Sequence, residues 1–221
     1  MTKAIVSLSG GQDSATCLAW TIHNFDEVYT ISVNYGQRHS RELQCSKDLS
    51  ILANAQHFEI DARRFFNSLQ INSAMHDTSK DVSVQHEIFT HLPATFLPFR
   101  NLFLITAAAA KGLKFGVTNV VTGICQTDYS GYPDCRDEFR QNLETTLSSA
   151  IDTRITIHAP LMYLSKAATV KMMDGFGKMD WYKYTHTCYN GVNPPCGNCP
   201  SCKLRIKGFE EAGFNDPLME E

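Results

Sequence analysis

The sequence predicts an α/β fold, a Rossmann-like, doubly wound and mostly parallel sheet with helices on both faces. Three observations favour this class. Short apolar runs rich in β-branched residues alternate along the chain with longer segments of helical periodicity. A glycine-rich turn, SGGQDS at 9–14, follows the first apolar run and leads into a helical pattern. The chain has 221 residues, 43% of them hydrophobic and 19% charged, which is enough for one large core.

The alternation assigns the elements in chain order. The predicted strands are 3–9, 26–35, 57–62, 117–124 and 154–160. The predicted helices are 14–24, 39–55, 100–116, 137–151, 165–177 and 202–213. Residues 67–98 are polar and mixed, and we expect a long functional loop or lid there. We expect residues 1–180 to form the α/β domain and residues 181–221 a small segment packed on it.

Charge and hydropathy exclude several classes of protein. A net charge of −3 argues against a surface built to bind many phosphates, so we expect no direct nucleic-acid partner. No apolar run approaches the length of a membrane span. The first residues lead directly into a strand, and their apolar core is too short for a signal peptide. We therefore expect a cytoplasmic protein without a membrane partner.

The SGGQDS turn has the features of a phosphate site. Gly10 and Gly11 allow a tight turn with outward-facing amides, and Ser9 and Ser14 add hydroxyl groups. The positive end of the following helix faces the same place. The spacing differs from both G-x-x-x-x-G-K-[ST] and G-x-G-x-x-G. The simpler alternative is a plain glycine turn, but hydroxyls on both sides and Asp13 between them favour binding of phosphate or pyrophosphate.

Four of the eight cysteines form a cluster with metal-ligand spacing. Cys188 is followed after seven residues by Cys196, and two further C-x2-C steps lead to Cys199 and Cys202. Zinc is the first interpretation, an iron–sulfur cluster the second, and reduced cysteines without metal the third. Four thiolates leave zinc no open position, so such a site is structural, and we expect residues 181–221 to be a small C-terminal zinc-binding knuckle packed on the α/β domain. The nearby His186 is interpreted as a solvated loop histidine.

The SGGQDS segment resembles the SGGxDS signature of the pyrophosphatase-loop ATPases. These enzymes cleave ATP between the α and β phosphates and adenylate an oxygen, which a nitrogen or sulfur nucleophile then displaces together with AMP. The resemblance implies an adenine nucleotide alpha hydrolase-like fold, ATP as ligand and Mg²⁺ at the leaving group. The residues that it implies for nucleotide binding are Leu8, Ser9, Gly10, Gly11, Gln12, Asp13, Ser14, Ala15, Thr16, Cys17 and Leu18.

Three more stretches narrow this resemblance: NYGQRHSREL, TGICQTDYSGYPDCRDEF and HTCYNG. With SGGQDSATCL they resemble the 7-cyano-7-deazaguanine synthase family over nearly the whole chain. That resemblance implies an ATP-dependent carbon–nitrogen ligase. Its reaction converts 7-carboxy-7-deazaguanine and ammonia to the nitrile by successive adenylation of the carboxylate and of the amide, on the route to queuosine. It also implies a homodimer.

The resemblance and side-chain chemistry together suggest roles at the nucleotide. Tyr35 and Gln37, at the end of the second strand, are expected to form a wall for adenine. Arg100, followed by Asn101 at a helix start, could bind phosphate oxygens with its bidentate fork. Lys166, at the start of another helix, is expected to be a second cation. We therefore expect Arg100 and Lys166 to be catalytic.

The GYPDCRDEF loop is expected to contact the small substrate. Thr127, Asp128 and Tyr132 are the predicted binding residues. Asp134 could hold a guanine-like N–H edge and Arg136 a carboxylate, and both are assigned to the catalytic set. The alternative is ordinary Asx-turn chemistry at a glycine–proline bend.

The chain departs from the family pattern at one position. The family has glycine in Pro-Gly-Arg-Asn, where this chain has Phe99 in LPFRN, so we expect a changed turn or a narrower nucleotide pocket. Cys125 and Cys135 could suggest a nucleophile, but the chemistry of nitrile formation needs no thiol. We expect both cysteines to be small buried or half-buried residues.

Two other functions are compatible with parts of the sequence. A tRNA thiolase or a lysidine synthase would share the phosphate loop, but the chain has no run of basic residues and no appended RNA domain. A zinc-knuckle interaction protein would keep the cysteines and lose the nucleotide loop. The intact Ser-Gly-Gly-x-Asp-Ser argues against that function.

Overall fold

The sheet confirms the predicted fold class. The computed structural model describes residues 1–37, 40–71, 73–75, 77, 80–127 and 131–219. These residues form a five-stranded parallel sheet in the order β3-β2-β1-β4-β5. The strands are β1 (Lys3–Ser7), β2 (Glu27–Asn34), β3 (Gln56–Asp61), β4 (Asn119–Val121) and β5 (Thr156–His158). The order reverses at β1, so the crevice between β1 and β4 is the topological switch point at which α/β sheets bind ligands.

Helices follow the strands as the periodicity predicts. They are α1 (Gln12–Asn24), α2 (Ser40–Leu52), α3 (Arg63–Ser68), α4 (Arg100–Leu113), α5 (Asp137–Ile151), α6 (Lys166–Gly175) and α7 (Pro200–Ala212). The short α3 and two 3₁₀ turns, Pro133–Cys135 and Met179–Tyr184, were not predicted because they are too short for a periodic signal.

The predicted strands 117–124 and 154–160 are longer than the observed β4 and β5. Thr122 still donates its amide to the oxygen of His158 at 3.0 Å, and Gln126 donates its amide to the oxygen of Met162 at 2.9 Å. The remaining apolar residues of the predicted strands carry the chain over the carboxyl edge of the sheet. They therefore help to build the site and do not extend the ladder.

The two faces of the sheet bury separate cores. Along β1, Ala4 and Val6 face one cluster and Ile5 faces the other, as the two-residue repeat of a strand requires. The first cluster packs α1 and α6 against the sheet, and the second packs α4 and α5 there. Burial on both faces is the reason that these strands are continuous apolar runs in the sequence.

The segment between α3 and α4 has no helix or strand in its described residues, as we expected for residues 67–98. One antiparallel bridge joins Gln85 to Pro93. Ala74, Val82 and Ala94 pack against the cysteine cluster. The segment is therefore fixed to the C-terminal region of the chain.

The C-terminal residues pack on the α/β core. Helix α7 lies along α6, and Phe209 of α7 joins the first core cluster. The boundary between residues 1–180 and 181–221 stays a prediction. In the described part of the chain, no helix combines the length and the apolar character that crossing a bilayer requires.

Candidate active site

The loop after β1 has the geometry of an anion site. Gly10 has φ +86°, and a Cβ atom there would lie 2.1 Å from the backbone oxygen of Glu42, so only glycine fits. Gly11 is the N-cap of α1, and no described side chain caps that helix. The first amides of α1 are consequently left for an external acceptor, and the helix dipole favours a negative one.

The two serines of the loop hydrogen bond to the loop itself. Ser14 Oγ donates to the oxygen of Gly11 at 3.0 Å and accepts from the amide of Gly10 at 3.2 Å. Ser9 Oγ lies 3.1 Å from Ser14 Oγ and accepts from the Gly11 amide at 3.2 Å. Ser14 is buried and Ser9 is exposed. Ser14 thus holds the turn from inside, whereas Ser9 is accessible at its surface.

The remaining residues of the predicted nucleotide-binding segment support the backbone of the loop and of α1. Five side chains in it are entirely buried, so they can serve a ligand only through the backbone that they hold: Leu8, Ala15, Thr16, Cys17 and Leu18. Gln12 is also buried, at the first position of α1. Burial raises the pKa of Cys17 well above its usual range, so this cysteine stays a neutral thiol.

A lysine from a distant helix reaches the SGGQDS loop. Lys166 Nζ lies 2.8 Å from both carboxylate oxygens of Asp13, and the lysine side chain is only 10% exposed. The start of α6 is fixed by Ser165, whose side chain accepts from the Ala168 amide. A Cβ at Gly208 of α7 would lie 2.4 Å from Lys166 Cγ, so close packing of α7 also fixes this lysine.

Arg100 lies in a pocket of tyrosines. Its Cζ is 5.6 Å from the ring centre of Tyr132, and Tyr35 and Tyr189 also interact with it. Burial alone would lower the pKa of Arg100, but these hydroxyls and Asp134 outweigh it, so the net shift is upwards and the guanidinium is always charged. Burial raises the pKa of Tyr35 to about 12. The pocket therefore presents one cation among neutral hydroxyl groups.

Asp134 is bound to the start of the same helix. Its Oδ2 accepts from the Asn101 amide at 3.0 Å, and its backbone oxygen accepts from Asn101 Nδ2 at 3.3 Å. This carboxylate is buried and fixes the GYPDCRDEF loop to α4 beside Arg100. Arg136, by contrast, is exposed and is the N-cap of α5. The loop therefore places one predicted residue inside the pocket wall and one at its surface.

The side chains of the other predicted binding residues differ in orientation. Gln37 folds back on β2, where its Oε1 accepts from the Tyr35 amide at 3.0 Å and its Nε2 donates to the Val33 oxygen at 3.3 Å. Thr127 donates its hydroxyl to the Leu164 oxygen at the start of α6. Asp128 lies outside the described residues. Tyr132 is buried, with its hydroxyl 2.5 Å from Thr95 Oγ1.

The structure adds two residues that the sequence analysis left without a role. Glu42, in the first turn of α2, is half-buried, and burial raises its pKa to about 8 although the Arg100 charge opposes this. It is the only acidic residue of NYGQRHSREL, and this could have identified Glu42 as a candidate site residue from the sequence. Tyr189 of HTCYNG reaches Arg100 and Tyr132 from the cysteine loop. The sequence analysis did not predict this role of Tyr189, because the neighbouring Cys188 indicated only a metal site.

Cys125 is buried and Cys135 half-buried, as we expected. Burial raises the pKa of Cys135 to about 12, which removes thiolate character at neutral pH. Phe99 adopts φ +63° and ψ +12° as the N-cap of α4 and is 71% exposed. The left-handed backbone suited to the family glycine is therefore kept, and the phenyl ring points away from the core.

The four cluster cysteines meet as the spacing predicts. Their sulfurs all lie within 4.8 Å of one another. The amides of Cys196, Cys199 and Cys202 donate to cluster sulfurs at 3.4–3.5 Å. Burial alone would raise the pKa of Cys196, but the amides of Asn198 and Cys199 lower it to about 6. Backbone donors aimed at sulfur are suited to thiolate ligands of a metal ion.

The segment before the cysteine cluster joins that cluster to the SGGQDS loop. The His186 amide donates to the Gly10 oxygen at 2.9 Å, and Tyr182 OH lies 2.7 Å from Thr16 Oγ1. The prediction of a solvated His186 is wrong, because the chain returns beneath the loop and leaves the side chain 1% exposed. Arg205 of α7, paired with Asp216 at 2.6 Å, donates to the oxygen of Tyr182 at 3.3 Å. The two regions are therefore held in one rigid arrangement.

The fold and the site together define an α/β nucleotide-binding protein of the pyrophosphatase-loop type. The family model for queuosine biosynthesis protein QueC matches residues 3–213. A 7-cyano-7-deazaguanine synthase from Chromobacterium violaceum is 45% identical over 220 residues, covering 99% of this chain and 93% of that relative. One from Laribacter hongkongensis is 44% identical, covering 98% and 93%. The chain belongs to the QueC family.

Solved structures agree on the fold. A 4-thiouridine synthetase, in an RNA complex with bound ATP, matches with a TM-score of 0.51 at 12% sequence identity. The match covers 96% of this chain and 50% of that one. At this identity the likeness shows the shared fold only.

Proposed function

We propose that this protein makes 7-cyano-7-deazaguanine from 7-carboxy-7-deazaguanine and ammonia at the expense of ATP. The observation that supports this most is the uncapped start of α1 behind Gly10 and Gly11, with Lys166 bound to Asp13 of the same loop. Arg100 begins α4, which packs on the opposite face of the sheet from α6. Family membership over residues 3–213 supports the substrate. The enzyme is an ATP-dependent carbon–nitrogen ligase.

The loop and the two cations suit adenylate formation. A carboxylate resists nucleophiles because of its charge, and transfer of AMP to its oxygen removes that charge and provides a leaving group. The α1 amides would hold the outer phosphates. Lys166 and Arg100 would stabilise negative charge as the bond to the α phosphate changes. Asp13, the only carboxylate of the SGGQDS loop, would hold Mg²⁺, which when bound would supply positive charge for the leaving pyrophosphate.

Two rounds complete the nitrile. In the first, ammonia displaces AMP from the acyl adenylate and leaves a primary amide. In the second, the amide oxygen receives AMP from another ATP and leaves with it, while the nitrogen loses two protons. The same loop and cations serve both rounds, because each forms a bond between the α phosphate and an oxygen on the same carbon.

The loop after β4 is proposed as the substrate wall. Tyr132 and Arg100 stack at 5.6 Å, and a flat heterocycle could lie against such a surface. Arg136 is exposed at the mouth, where it could attract the substrate carboxylate. Thr127, fixed to Leu164 at the start of α6, lies between this wall and Lys166. Tyr35 is the proposed wall for adenine.

The cysteine cluster is proposed to hold one structural Zn²⁺. Zinc–sulfur bonds of about 2.3 Å in a tetrahedron place the sulfurs about 3.8 Å apart. The Cys196 and Cys202 sulfurs are 3.9 Å apart. A four-iron cluster is larger and would spread its ligands further, so these distances favour the single ion. When bound, the ion stabilises the tail and takes no part in the reaction.

Product analysis tests the proposal. The protein is incubated with 7-carboxy-7-deazaguanine, ammonium, ATP and Mg²⁺, and the products are identified by mass spectrometry. We expect the nitrile, with AMP and pyrophosphate released only when the acid is present. Accumulated amide would show that only the first round occurs. ADP and orthophosphate as products, or no dependence on the acid, would contradict the proposal.

Location and assembly belong to the same proposal. A cytoplasmic homodimer is expected from the family resemblance, with small molecules as the substrates. Light scattering during gel filtration measures the mass directly and would contradict the dimer if it returned 24.8 kDa. A tRNA-modifying function is less well supported than nitrile synthesis, and absence of a tRNA gel shift would agree with that.

A further inference from the structure

Glu42 lies at the meeting point of the phosphate loop and the Arg100 pocket. Its backbone oxygen is in contact with Gly10, so any side chain at that glycine would collide with it. The charge of its carboxyl acts on Arg100 of α4, on Tyr35 at the end of β2 and on Tyr189 of the cysteine loop. Glu42 therefore belongs both to the packing of the proposed phosphate site and to the charged surroundings of the Arg100 pocket.

Two other described carboxylates of the proposed site are already bound to partners. Asp13 forms the ion pair with Lys166, and Asp134 accepts the Asn101 amide. Among the described residues, the Glu42 carboxyl makes neither a hydrogen bond nor an ion pair. The Glu42 carboxyl and Arg100 affect each other electrostatically without forming an ion pair.

The surroundings of Glu42 make its proton easy to exchange. Burial favours the neutral acid, while Arg100, the only described cation that acts on it, favours the carboxylate. The balance raises its pKa to about 8, and the neighbouring Tyr35, Tyr189 and Cys45 are neutral at that pH. A carboxyl poised in this way can both take and return a proton near neutral pH.

We propose that Glu42 is the catalytic proton acceptor for the attacking nitrogen, an assignment that rests on the proposed nitrile synthesis. In the first round, ammonia forms the C–N bond as the C–O bond to AMP breaks, and the surplus N–H proton moves to Glu42. In the second round, the amide oxygen departs with AMP and the nitrogen gives up two protons, one at a time, through Glu42 to water. No oxidant or reductant is needed.

The test separates proton transfer from adenylation. Substrate-dependent exchange of labelled pyrophosphate into ATP reports adenylate formation and needs no ammonia. For Glu42→Gln we expect exchange close to that of the unchanged protein, and amide formation from ammonium about a hundredfold slower or worse. Hydroxylamine, which is neutral near neutral pH, should restore much of the rate because it needs less help in losing a proton.

Glu138→Gln is the matched control, since Glu138 is an exposed acid in the first turn of α5. It should leave every assay unchanged. An ammonium-dependent rate in Glu42→Gln equal to that of the unchanged protein would overturn the inference. So would loss of exchange and amide formation to the same extent in a folded variant, because that would indicate a binding role. If unchanged protein shows no exchange, the proposed function fails instead.

A second measurement covers a variant that does not fold. In the unchanged protein, the rate of amide formation is measured against pH and corrected at each pH for the concentration of free ammonia. With ammonium, the corrected rate should rise as the pH passes through 8, and with hydroxylamine this rise should be much smaller. A rise of equal size with both nucleophiles would contradict a role for Glu42 in taking the proton.

Discussion

The N-termini of helices α1 and α7 differ in how they are capped. Helix α1 follows Gly11, and no described side chain caps it. Helix α7 follows Cys199, whose sulfur accepts from the Cys202 amide, and Pro200 occupies its first turn. The first end leaves its donors available for the proposed ligand, while the second donates an amide to a cysteine sulfur of its own chain.

The difference fits the separate roles proposed for the two regions, binding of ATP at α1 and stabilisation of the chain at α7. An open helix end is a binding site only if its surroundings hold the turn, and Ser14 and the Glu42 carbonyl do so here. A helix end capped by a cysteine sulfur is stabilised by its own chain, and a bound metal would join that sulfur to the other cluster cysteines. The two ends meet through the His186 amide on the Gly10 oxygen. Damage to each should therefore have a distinct signature.

The largest effect is expected for Gly10→Ala. The added methyl group would lie 2.1 Å from the Glu42 oxygen, and φ +86° disfavours any side chain. The loop must shift, and because a displacement of about 1 Å costs about a hundredfold, we expect AMP formation to fall about a hundredfold or more. Gly116→Ala is the control, with φ +68° and open space around it. AMP formation in Gly10→Ala close to that of Gly116→Ala would contradict the close-packed turn.

The next effect is expected for Cys199→Ser. Loss of a ligand from a site whose metal contributes to folding should lower stability on the order of 4 kcal/mol. Metal content by plasma emission should fall from about one equivalent per chain towards zero. Cys45→Ser removes a buried thiol outside the cluster and should keep the metal. A metal-replete, fully stable Cys199→Ser would refute the assignment.

Lys166→Met should weaken the open helix end without unfolding the protein. Removal of the cation leaves the Asp13 carboxylate unpaired beside the proposed phosphate site, where it would repel ATP. We expect kcat/KM for ATP to fall about a hundredfold. Lys183→Met removes an exposed lysine paired with Asp180 and should change neither activity nor melting temperature. An unchanged KM and kcat in Lys166→Met would show that the lysine only anchors α6.

The sequence predicted the two helix starts far better than the pocket between them. SGGQDS and the four cysteines are local patterns, so spacing alone contains most of their geometry. Tyr35, Glu42, Arg100, Tyr132 and Tyr189 come from four distant segments, and only tertiary packing brings them together. Apolar periodicity reports which face of an element is buried and cannot report which loops converge at its end.

The same limit explains the error at His186. A histidine before a cysteine cluster looks like a loop residue, because nothing in HTCYNG shows that the chain doubles back under α1. Its burial follows from the Arg205 contacts, the hydrogen bond between Tyr182 and Thr16, and the amide bond to Gly10. These are long-range contacts between residues of different elements, and no single stretch of the sequence contains them.

The smallest effect is a gain, expected for Phe99→Gly. Phe99 keeps φ +63°, a conformation that costs a bulky residue about 1–2 kcal/mol, while its ring is 71% exposed. Glycine removes that strain but adds freedom to the unfolded chain, so we expect a net gain of about 0.5–1 kcal/mol and a rise of roughly 2 °C in Tm.

Phe99→Ala separates the two causes, because it removes the ring but keeps the strained Cβ atom. It should give no gain in melting temperature. A higher melting temperature in Phe99→Ala would show that the exposed ring, and not the backbone conformation, lowers the stability of the protein. Since Arg100 follows directly at the start of α4, unchanged AMP formation in both variants would show that this start is held by the Asp134 carboxylate and the Asn101 amide.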